Sequence, residues 1–296
     1  MTSRRGTRRA AAFLLVIVGT LLAACTSSGD SHHEGPDCGA TVDKPGGGRW
    51  TCTFVDNFRG KHLDPDKWLI QSTALTGFRN NQECYGAEDN VVVDRGVLSL
   101  TVRSEPAPFV CQDPRGAFST QYTGSMVTTW KRFSQTYGRF EIKARMPDVK
   151  VAGIHSALWL WPQDEAKRGG KPMAGEIDVA EYYSVHPDRL IPYIHYTPAA
   201  PDPAVTNNEC LVDDPAAWHT YLLEWTTKTL TISYDGKKCL VNSWNPAAPL
   251  SKPAPFDQPF IIALTQSLGV ATTANQPDAA TPLPATMQVD YVRVWK

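Results

Sequence analysis

The chain has 296 residues, 42% of them hydrophobic, and its 29 basic and 30 acidic side chains give a formal net charge of −1. That length and apolar content allow one domain with a sizeable core, since all-β domains of 200–250 residues commonly stay undivided. The near-neutral charge excludes a strongly basic nucleic-acid-binding surface, and we expect a monomer with no nucleic-acid partner.

The first 24 residues have the pattern of a signal peptide. Four arginines, the last being Arg9, precede an apolar stretch from Ala10 to Ala24 that is too short to span a bilayer comfortably. The sequence Leu-Ala-Ala-Cys that ends at Cys25 resembles the bacterial lipobox, so Cys25 is the expected lipidation site. An ordinary small-residue cleavage site is the alternative, and export by the general or the twin-arginine route stays open.

Residues 25–36 are polar and lack a hydrophobic period, which predicts a flexible linker before a domain at 37–296. Removal of the signal peptide takes four arginines and no acidic residue, which leaves 25 basic against 30 acidic side chains and a net charge of −5. Such a domain has no polybasic attraction to anionic lipid. We therefore expect membrane attachment only through the lipid on Cys25, at the outer face of the bacterial cell membrane, or else a secreted protein.

Six cysteines remain after Cys25, and in an exported chain this number predicts three disulfides. Their spacings lack the close Cys-x-x-Cys pairs of a zinc site. Fifteen connectivities are formally open. Pairing of sequence neighbours is the favoured one: Cys38–Cys52, Cys84–Cys111 and Cys210–Cys239.

Short alternating runs dominate the body of the chain, which indicates strands rather than helices. Val97 to Val102 follows an Asp-Arg-Gly turn, and Leu230 to Tyr234 runs into Asp235-Gly236, a dipeptide suited to a type I′ hairpin. The 21 glycines and 23 prolines supply many turns. The pattern predicts an all-β domain, a two-sheet β-sandwich.

The most informative segment runs from Gly175 to Tyr183 and carries three carboxylates in a strand-like sequence. Glu176 and Asp178 share one face of a strand, whereas Glu181 would fall on the other face if the strand were regular. One extra residue near Val179-Ala180, a β-bulge, would return Glu181 to the face of the other two, and bulges are frequent next to active sites.

Three clustered carboxylates cannot all stay ionised in a partly dry cleft, so at least one is expected to hold a proton near neutral pH. A retaining glycosidase uses this division: one carboxylate is the nucleophile and one carboxylic acid protonates the leaving oxygen. We assign Glu176 as nucleophile, Glu181 as acid and then base, and Asp178 as the partner between them. An acidic strand face in solvent, or a Ca²⁺-binding run, is the alternative from spacing alone.

Other segments, in the same order along the chain, give the acidic segment a family context. It resembles the Glu-x-Asp-x-x-Glu signature of glycoside hydrolase family 16, whose laminarinase-like members are endo-β-1,3-glucanases. The segments similar to that family are Tyr137 to Pro147, Gly153 to Pro162, Ile194 to Tyr196, Trp218 to Tyr221, Glu224-Trp225, Tyr234 to Gly236 and Val289 to Trp295. The resemblance covers roughly Asp56 to Lys296. It implies a concanavalin A-like jelly roll with a concave sugar-binding cleft.

The resemblance also suggests residues that bind substrate. Trp159 and Trp161 share a strand face and offer flat platforms for sugar rings, although either could be a core tryptophan. Asn81 lies in an Asn-rich loop similar to one that reaches sugars, with a plain turn as the alternative. His195 aligns with a histidine close to the acid/base, with a core histidine as the alternative, and Gln266 is a weaker candidate for the cleft.

Two positions depart from the family pattern. His155 stands where laminarinase-like members often have an aromatic residue, so one stacking surface is expected to be missing. Many relatives hold a structural Ca²⁺ on the convex side; Asp290 fits that role, but Asn57 replaces a common glutamate. We expect no required cofactor and, at most, a weakened calcium site.

The leading hypothesis is an exported retaining endo-β-glycanase that hydrolyses β-1,3-glucan, its polysaccharide partner. Mixed-linkage glucan and galactan are alternative substrates, since loops set linkage preference. Transfer of the glycosyl unit to another wall sugar is a second hypothesis. A glycan-binding lipoprotein without catalysis is a third, which the presence of both Glu176 and Glu181 disfavours.

Overall fold

The computed structural model describes residues 1–2, 36–270 and 273–296, and the account below concerns the compact unit Gly35–Lys296. The predicted signal peptide, except for its first two residues, lies outside the described residues, as do Cys25 and nearly all of the linker. These assignments stay predictions. No helix within the described ranges has both the length and the apolar character needed to cross a membrane.

Strands make up most of the regular structure. In chain order they are β1 (Cys52–Asp56), β2 (Leu69–Ile70), β3 (Cys84–Tyr85), β4 (Val91–Asp94), β5 (Val97–Cys111), β6 (Phe118–Thr128), β7 (Gly138–Arg145), β8 (Ile154–Pro162), β9 (Glu176–Tyr183), β10 (Ile191–His195), β11 (His219–Trp225), β12 (Leu230–Tyr234), β13 (Lys237–Asn242), β14 (Phe260–Leu268) and β15 (Ala285–Trp295). The helical pieces are one turn each: α1 (Thr73–Thr76) and 3₁₀ turns at Glu88–Asn90, Glu165–Arg168 and Pro203–Val205.

The strands form two layers that are connected where β5 pairs with β6. One layer has the order β10-β9-β8-β14-β6 and the other the order β5-β15-β7-β11-β12-β13. The first part of β5, up to Val102, pairs with β15, and from Arg103 onward the strand pairs with β6. The chain therefore passes from one layer to the other within a single strand.

The core lies between the layers because inward-facing apolar side chains alternate with outward-facing polar ones. In β7, Phe140, Ile142 and Ala144 are buried while the residues between them are partly exposed. Trp225 of β11 meets Phe260 of β14 edge to face at a centroid distance of 5.2 Å, which joins the two layers. The predicted two-sheet β-sandwich of the jelly-roll type is confirmed.

The predicted pairing of the six cysteines is also confirmed. The bonds are Cys38–Cys52, Cys84–Cys111 and Cys210–Cys239, with sequence separations of 14, 27 and 29 residues. The second bond fixes β3, a short strand that lies parallel to the middle of β6.

The residues considered for Ca²⁺ do not fit a calcium site. The Asp290 carboxylate lies 2.8 Å from the Lys143 ammonium, and the Asn57 side-chain oxygen accepts a hydrogen bond of 3.3 Å from Arg293. Ca²⁺ requires six to eight oxygen ligands, carboxylates foremost. Here the protein's own cations occupy these oxygens, so we assign no metal role to Asp290.

Candidate active site

A β-bulge in β9 places the three carboxylates on one face of the first layer. Residues Ala180 to Tyr183 pair in regular register with β8, where Leu158 lies opposite Ala180, but the next residue of β8, Trp159, lies opposite Asp178. Val179 is therefore the extra residue. The same slip separates β9 from β10 on its other side. The predicted bulge is confirmed.

The local sequence explains why the bulge is stable. Ile177 and Val179 both point into the core, with exposed fractions of 0% and 1%, and a regular strand would send Glu181 to the same side. After the bulge Tyr182 takes the inward position, 2% exposed, and Glu181 turns outward. Burying Tyr182 instead of a carboxylate avoids the cost of an unpaired charge in the core.

We call the outward side chains of β8, β9 and β14 around these carboxylates the acidic face. The three acids interact electrostatically with one another although they are largely shielded from solvent. Glu176 is 7% exposed and Asp178 is 4% exposed. Burial, with the charges of Glu181 and Glu176, raises the pKa of Asp178 well above its usual range. Of the three carboxyls, Asp178 is therefore the one whose surroundings most favour the protonated form.

Glu176 is paired with a cation that the sequence analysis missed. The Lys171 ammonium, from the segment between β8 and β9, lies 2.5 Å from Glu176 Oε2. Burial raises the pKa of Glu176, Lys171 lowers it, and the charge of Glu181 raises it, with a net shift upward. Burial acts to lower the pKa of Lys171, but its bond to Glu176 and the negative charges of the three acids together outweigh burial and raise that pKa. Lys171 therefore favours the ionised form of Glu176.

Glu181 has different partners. Its Oε1 accepts a hydrogen bond of 2.7 Å from the Tyr183 hydroxyl and lies 3.0 Å from His155 Nε2. Burial raises the pKa of Glu181, but the combined effects of His155, Tyr183 and His195 outweigh burial and lower the pKa. His155, noted in the sequence only as a departure from an aromatic residue, is a direct neighbour of the proposed acid/base.

The structure also brings His195 to the acidic face. His195 Nε2 lies 2.9 Å from Asp178 Oδ2, and its ring stacks on Tyr193 with centroids 4.0 Å apart. Burial and the Lys171 charge lower the pKa of His195 to about 4, so its imidazole is neutral at neutral pH. The ring therefore lies against the Asp178 carboxyl as a neutral imidazole and does not neutralise it by charge.

The two predicted tryptophans lie next to each other on the acidic face. Trp159 and Trp161 meet edge to face with centroids 6.0 Å apart, and both remain partly exposed. The Trp159 indole donates a 2.9 Å hydrogen bond to Thr265 Oγ1, which fixes the ring. Lys171 lies 5.9 Å from the centroid of the Trp161 ring. Aromatic surface and charge therefore meet beside Glu176.

Of the remaining predicted residues, Asn81 lies beside the face and Gln266 does not. Asn81 donates to the carbonyl oxygens of Leu268 and Gly269, at 3.2 and 2.9 Å, which ties its loop to the end of β14. Gln266 is 0% exposed, and its Oε1 accepts a 2.6 Å hydrogen bond from Ser156. Its side chain lies on the inner face of β14, where it cannot reach substrate.

Glu176, Asp178 and His195 also have the proximity of a metal-binding group, since their ligand atoms lie within 4.8 Å of one another. The Lys171 ammonium already neutralises Glu176, and His195 Nε2 already lies 2.9 Å from Asp178 Oδ2. A dication would have to displace the Lys171 ammonium. We therefore interpret the cluster as acid–base machinery rather than a metal centre.

Comparisons with known proteins agree with this geometry. The family profile described as Glycosyl hydrolases family 16 matches residues 78–293. Glucan endo-1,3-beta-glucosidase A1 of Niallia circulans is 31% identical over 82% of this chain, which spans 37% of that protein's length. The Beta-glucanase of Rhodothermus marinus is 28% identical over the whole chain and 97% of that protein.

Comparison with solved structures gives a result that agrees with the family profile. The solved structure of the laminarinase from Rhodothermus marinus superposes with a TM-score of 0.67 at 27% identity, covering 83% of this chain and 97% of that one. The matched residues contain the whole acidic face and the bulge that forms it. The chain therefore belongs to glycosyl hydrolases family 16 and is a glycoside hydrolase.

Proposed function

We propose that the protein is a retaining endo-β-glycanase that hydrolyses β-1,3-glucan by double displacement. The observation that carries the proposal is the bulge at Val179, which turns Glu181 to the face of Glu176. This mechanism needs two carboxyl groups on one face, roughly 5–5.5 Å apart, and the bulge places both glutamates on the same face of β9. The glucan substrate is inferred from the relatives named above.

In the first step the Glu176 carboxylate attacks the anomeric carbon and forms a glycosyl ester. The bond from that carbon to the leaving oxygen breaks, and Glu181 gives its proton to this oxygen. In the second step water attacks the anomeric carbon, Glu181 takes a proton from the water, and the ester bond breaks to restore the Glu176 carboxylate. Each group ends in its starting protonation state.

The partners of the three acids support this division of roles. Lys171 favours an ionised Glu176, as a nucleophile requires. The raised pKa of Asp178 favours a proton on this residue, between the two glutamates, and the His195 ring lies against its carboxyl. Substrate that covers the face would exclude water and raise the pKa of Glu181 toward that of a competent acid, because desolvation disfavours the carboxylate.

The test is to incubate the purified domain with laminarin, lichenan, agarose and a β-1,4-glucan and to separate the products. We expect oligosaccharides from laminarin, with the β-anomer formed first by NMR. Glu176→Gln should lose several orders of magnitude in kcat, whereas Glu165→Gln, at an exposed glutamate in a 3₁₀ turn, should behave as wild type. Unchanged cleavage by Glu176→Gln, or the α-anomer as first product, would refute the mechanism.

The same digests separate the alternative hypotheses. Products longer than the substrate would indicate glycosyl transfer, preferential cleavage of lichenan or agarose would change the linkage assignment, and binding without cleavage would indicate a lectin-like protein.

We further propose that the protein is an exported lipoprotein anchored at Cys25. The three disulfides of the domain support an oxidising compartment. Metabolic labelling with a radioactive fatty acid should mark the wild type and not Cys25→Ser, and the unlabelled variant should appear in the culture medium. Equal labelling of both would refute the anchor.

A further inference from the structure

Glu181 presents its two oxygens to different surroundings. Oε1 has both the Tyr183 hydroxyl, at 2.7 Å, and His155 Nε2, at 3.0 Å, as hydrogen-bond partners. A protonated carboxyl carries its proton on one oxygen and accepts through the other. An oxygen that already accepts from two donors is an unfavourable site for that proton, because a donor would have to turn away. The acid proton of Glu181 therefore belongs on Oε2.

His155 is fixed on three sides in the orientation that this arrangement needs. Besides its contact with Glu181, its Nδ1 lies 3.3 Å from Ser267 Oγ, in the residue directly opposite it on β14. Its ring stacks on Tyr183, with centroids 4.8 Å apart and planes 25° apart. When Ser267 donates to Nδ1, the ring carries an N–H at Nε2, directed at Glu181.

Ser267 is held in turn by the segment 80–85, outside the acidic face. The Asn80 amide donates to Ser267 Oγ at 3.2 Å. The carboxyl of Glu83, which is 0% exposed, accepts a 2.9 Å hydrogen bond from the backbone N–H of Leu268, the residue after Ser267, and a 3.5 Å hydrogen bond from the Tyr85 hydroxyl. A continuous set of polar contacts thus runs from a buried loop to the proposed acid/base.

We propose that His155 is a positioning residue that, together with Tyr183, fixes the acid proton of Glu181 on Oε2 and sets the alkaline limit of catalysis. The inference rests on the proposed function, in which Glu181 is the acid. The other titratable groups that face this pair are Glu176, Asp178, Lys171, His195, Glu83 and Tyr85. None of these is altered by the variants below, so their contributions stay constant.

The direction of the pH effect follows from the donors. Hydrogen bonds from His155 and Tyr183 stabilise the carboxylate of Glu181 and lower its pKa against the opposing effect of burial. Removing one donor raises that pKa. Since the acid must be protonated to act, the basic limb of the kcat/KM profile should then move to higher pH.

The experiment measures pH profiles of His155→Phe and Tyr183→Phe on two substrates. In laminarin the leaving group is a sugar hydroxyl, which must be protonated by the acid as it departs. In a 2,4-dinitrophenyl β-glycoside of a short β-1,3-glucan the leaving group is a stable phenolate, which departs without protonation. We expect the basic limb to move to higher pH in both variants. With laminarin, kcat should fall by roughly 10- to 100-fold from misplacement of the acid. For the aryl glycoside, kcat/KM should stay close to wild type, because this constant covers only the steps up to the glycosyl ester, before Glu181 acts as base.

Two further variants make the result specific. His155→Gln keeps a neutral N–H donor and should recover part of the kcat lost in His155→Phe. His186→Phe, at an exposed histidine in the turn after β9, should leave both profiles unchanged. Tyr183→Phe removes only a hydroxyl and keeps the stacked ring, so the test stands even if His155→Phe does not fold.

The inference is overturned if wild type cleaves laminarin but His155→Phe and Tyr183→Phe keep its pH profile and its ratio of rates on the two substrates. An equal loss on both substrates with an unmoved basic limb would also overturn it, since that is the result of general structural damage. If the wild type cleaves neither laminarin nor the aryl glycoside, the proposed function itself fails.

Discussion

Loss of the Cys84–Cys111 disulfide should weaken substrate binding as well as stability. The perturbation is the double substitution of both cysteines by serine, which avoids a free thiol. The bond joins residues 27 apart in sequence, and the chain-entropy relation gives about 3.6 kcal/mol for a loop of that size. Cys84 lies between Glu83, which accepts a hydrogen bond from Leu268, and Tyr85, which belongs to the small core cluster against which Trp159 packs. Removal of this disulfide should therefore increase the mobility of the loop that includes Asn81.

The Cys210–Cys239 bond supplies a matched control. It joins residues 29 apart, for which the same relation gives about 3.6 kcal/mol. Its neighbours are Leu190, whose N–H bonds the Cys210 carbonyl, and Asn207, which donates to the Cys239 carbonyl. The two double variants should thus lose similar stability, but only the Cys84/Cys111 variant should show a raised KM.

The assay combines urea unfolding with steady-state kinetics on laminarin at a temperature where both variants are folded. We expect two unfolding free energies reduced by similar amounts, with KM raised and kcat little changed for the Cys84/Cys111 variant alone. A KM raised equally in both variants would show that general loosening, not the loop at 80–85, is responsible. An unchanged KM in both would refute the role assigned to that loop.

Three other outcomes follow from the acidic face and its supports. Lys171→Met should move the acid limb of the kcat/KM profile to higher pH. Without the ammonium the pKa of Glu176 rises, so the nucleophile becomes ionised only at higher pH. Lys167→Met, in the same segment, is the control. Burial raises the pKa of Glu83 in the folded protein well above its usual range. The proton on Glu83 therefore stabilises the fold fully at a pH below the pKa of Glu83 in the unfolded chain, and this stabilisation is lost as the pH rises through the pKa in the folded protein. In urea unfolding, Glu83→Gln should therefore lose less stability between pH 5 and pH 9 than wild type. The difference should be about 1.4 kcal/mol for each unit by which the pKa of Glu83 differs between the folded and unfolded states. An equal loss in both proteins would contradict a protonated Glu83. Trp159→Ala should raise KM for laminarin by roughly 3- to 10-fold if its ring stacks on sugar, whereas Trp130→Ala, at an exposed tryptophan, should not.

The sequence was sufficient for those features that depend on neighbours along the chain. The period-2 pattern predicted the strands, and the parity of Glu176, Asp178 and Glu181 required a bulge, which is present at Val179. Tyr183, two residues after Glu181, could have been placed on the same face by the same argument. The pairing of cysteines followed the chain order.

Features that depend on residues close in space but distant in sequence could not be predicted from the sequence pattern. Lys171 belongs to an irregular segment, so no periodicity indicates where its side chain lies. Gln266 was assigned to the cleft, but every residue of β14 is buried, and a strand buried on both sides gives no alternation from which to tell its faces. Only the register against β8 shows that Gln266 faces inward with Ser156 while Ser267 faces His155.

The chemical difference between the three carboxylates does not reside in β9. They are alike in sequence and share one face, yet each is within 3.0 Å of a different basic side chain: Glu176 of Lys171, Asp178 of His195 and Glu181 of His155. These partners come from the segment before β9, from β10 and from β8 respectively. Since a carboxyl group's protonation follows its immediate charges and donors, the three roles are set by the surrounding elements. Exchange of one such partner should therefore alter the pH range of the enzyme without changing the residues that react.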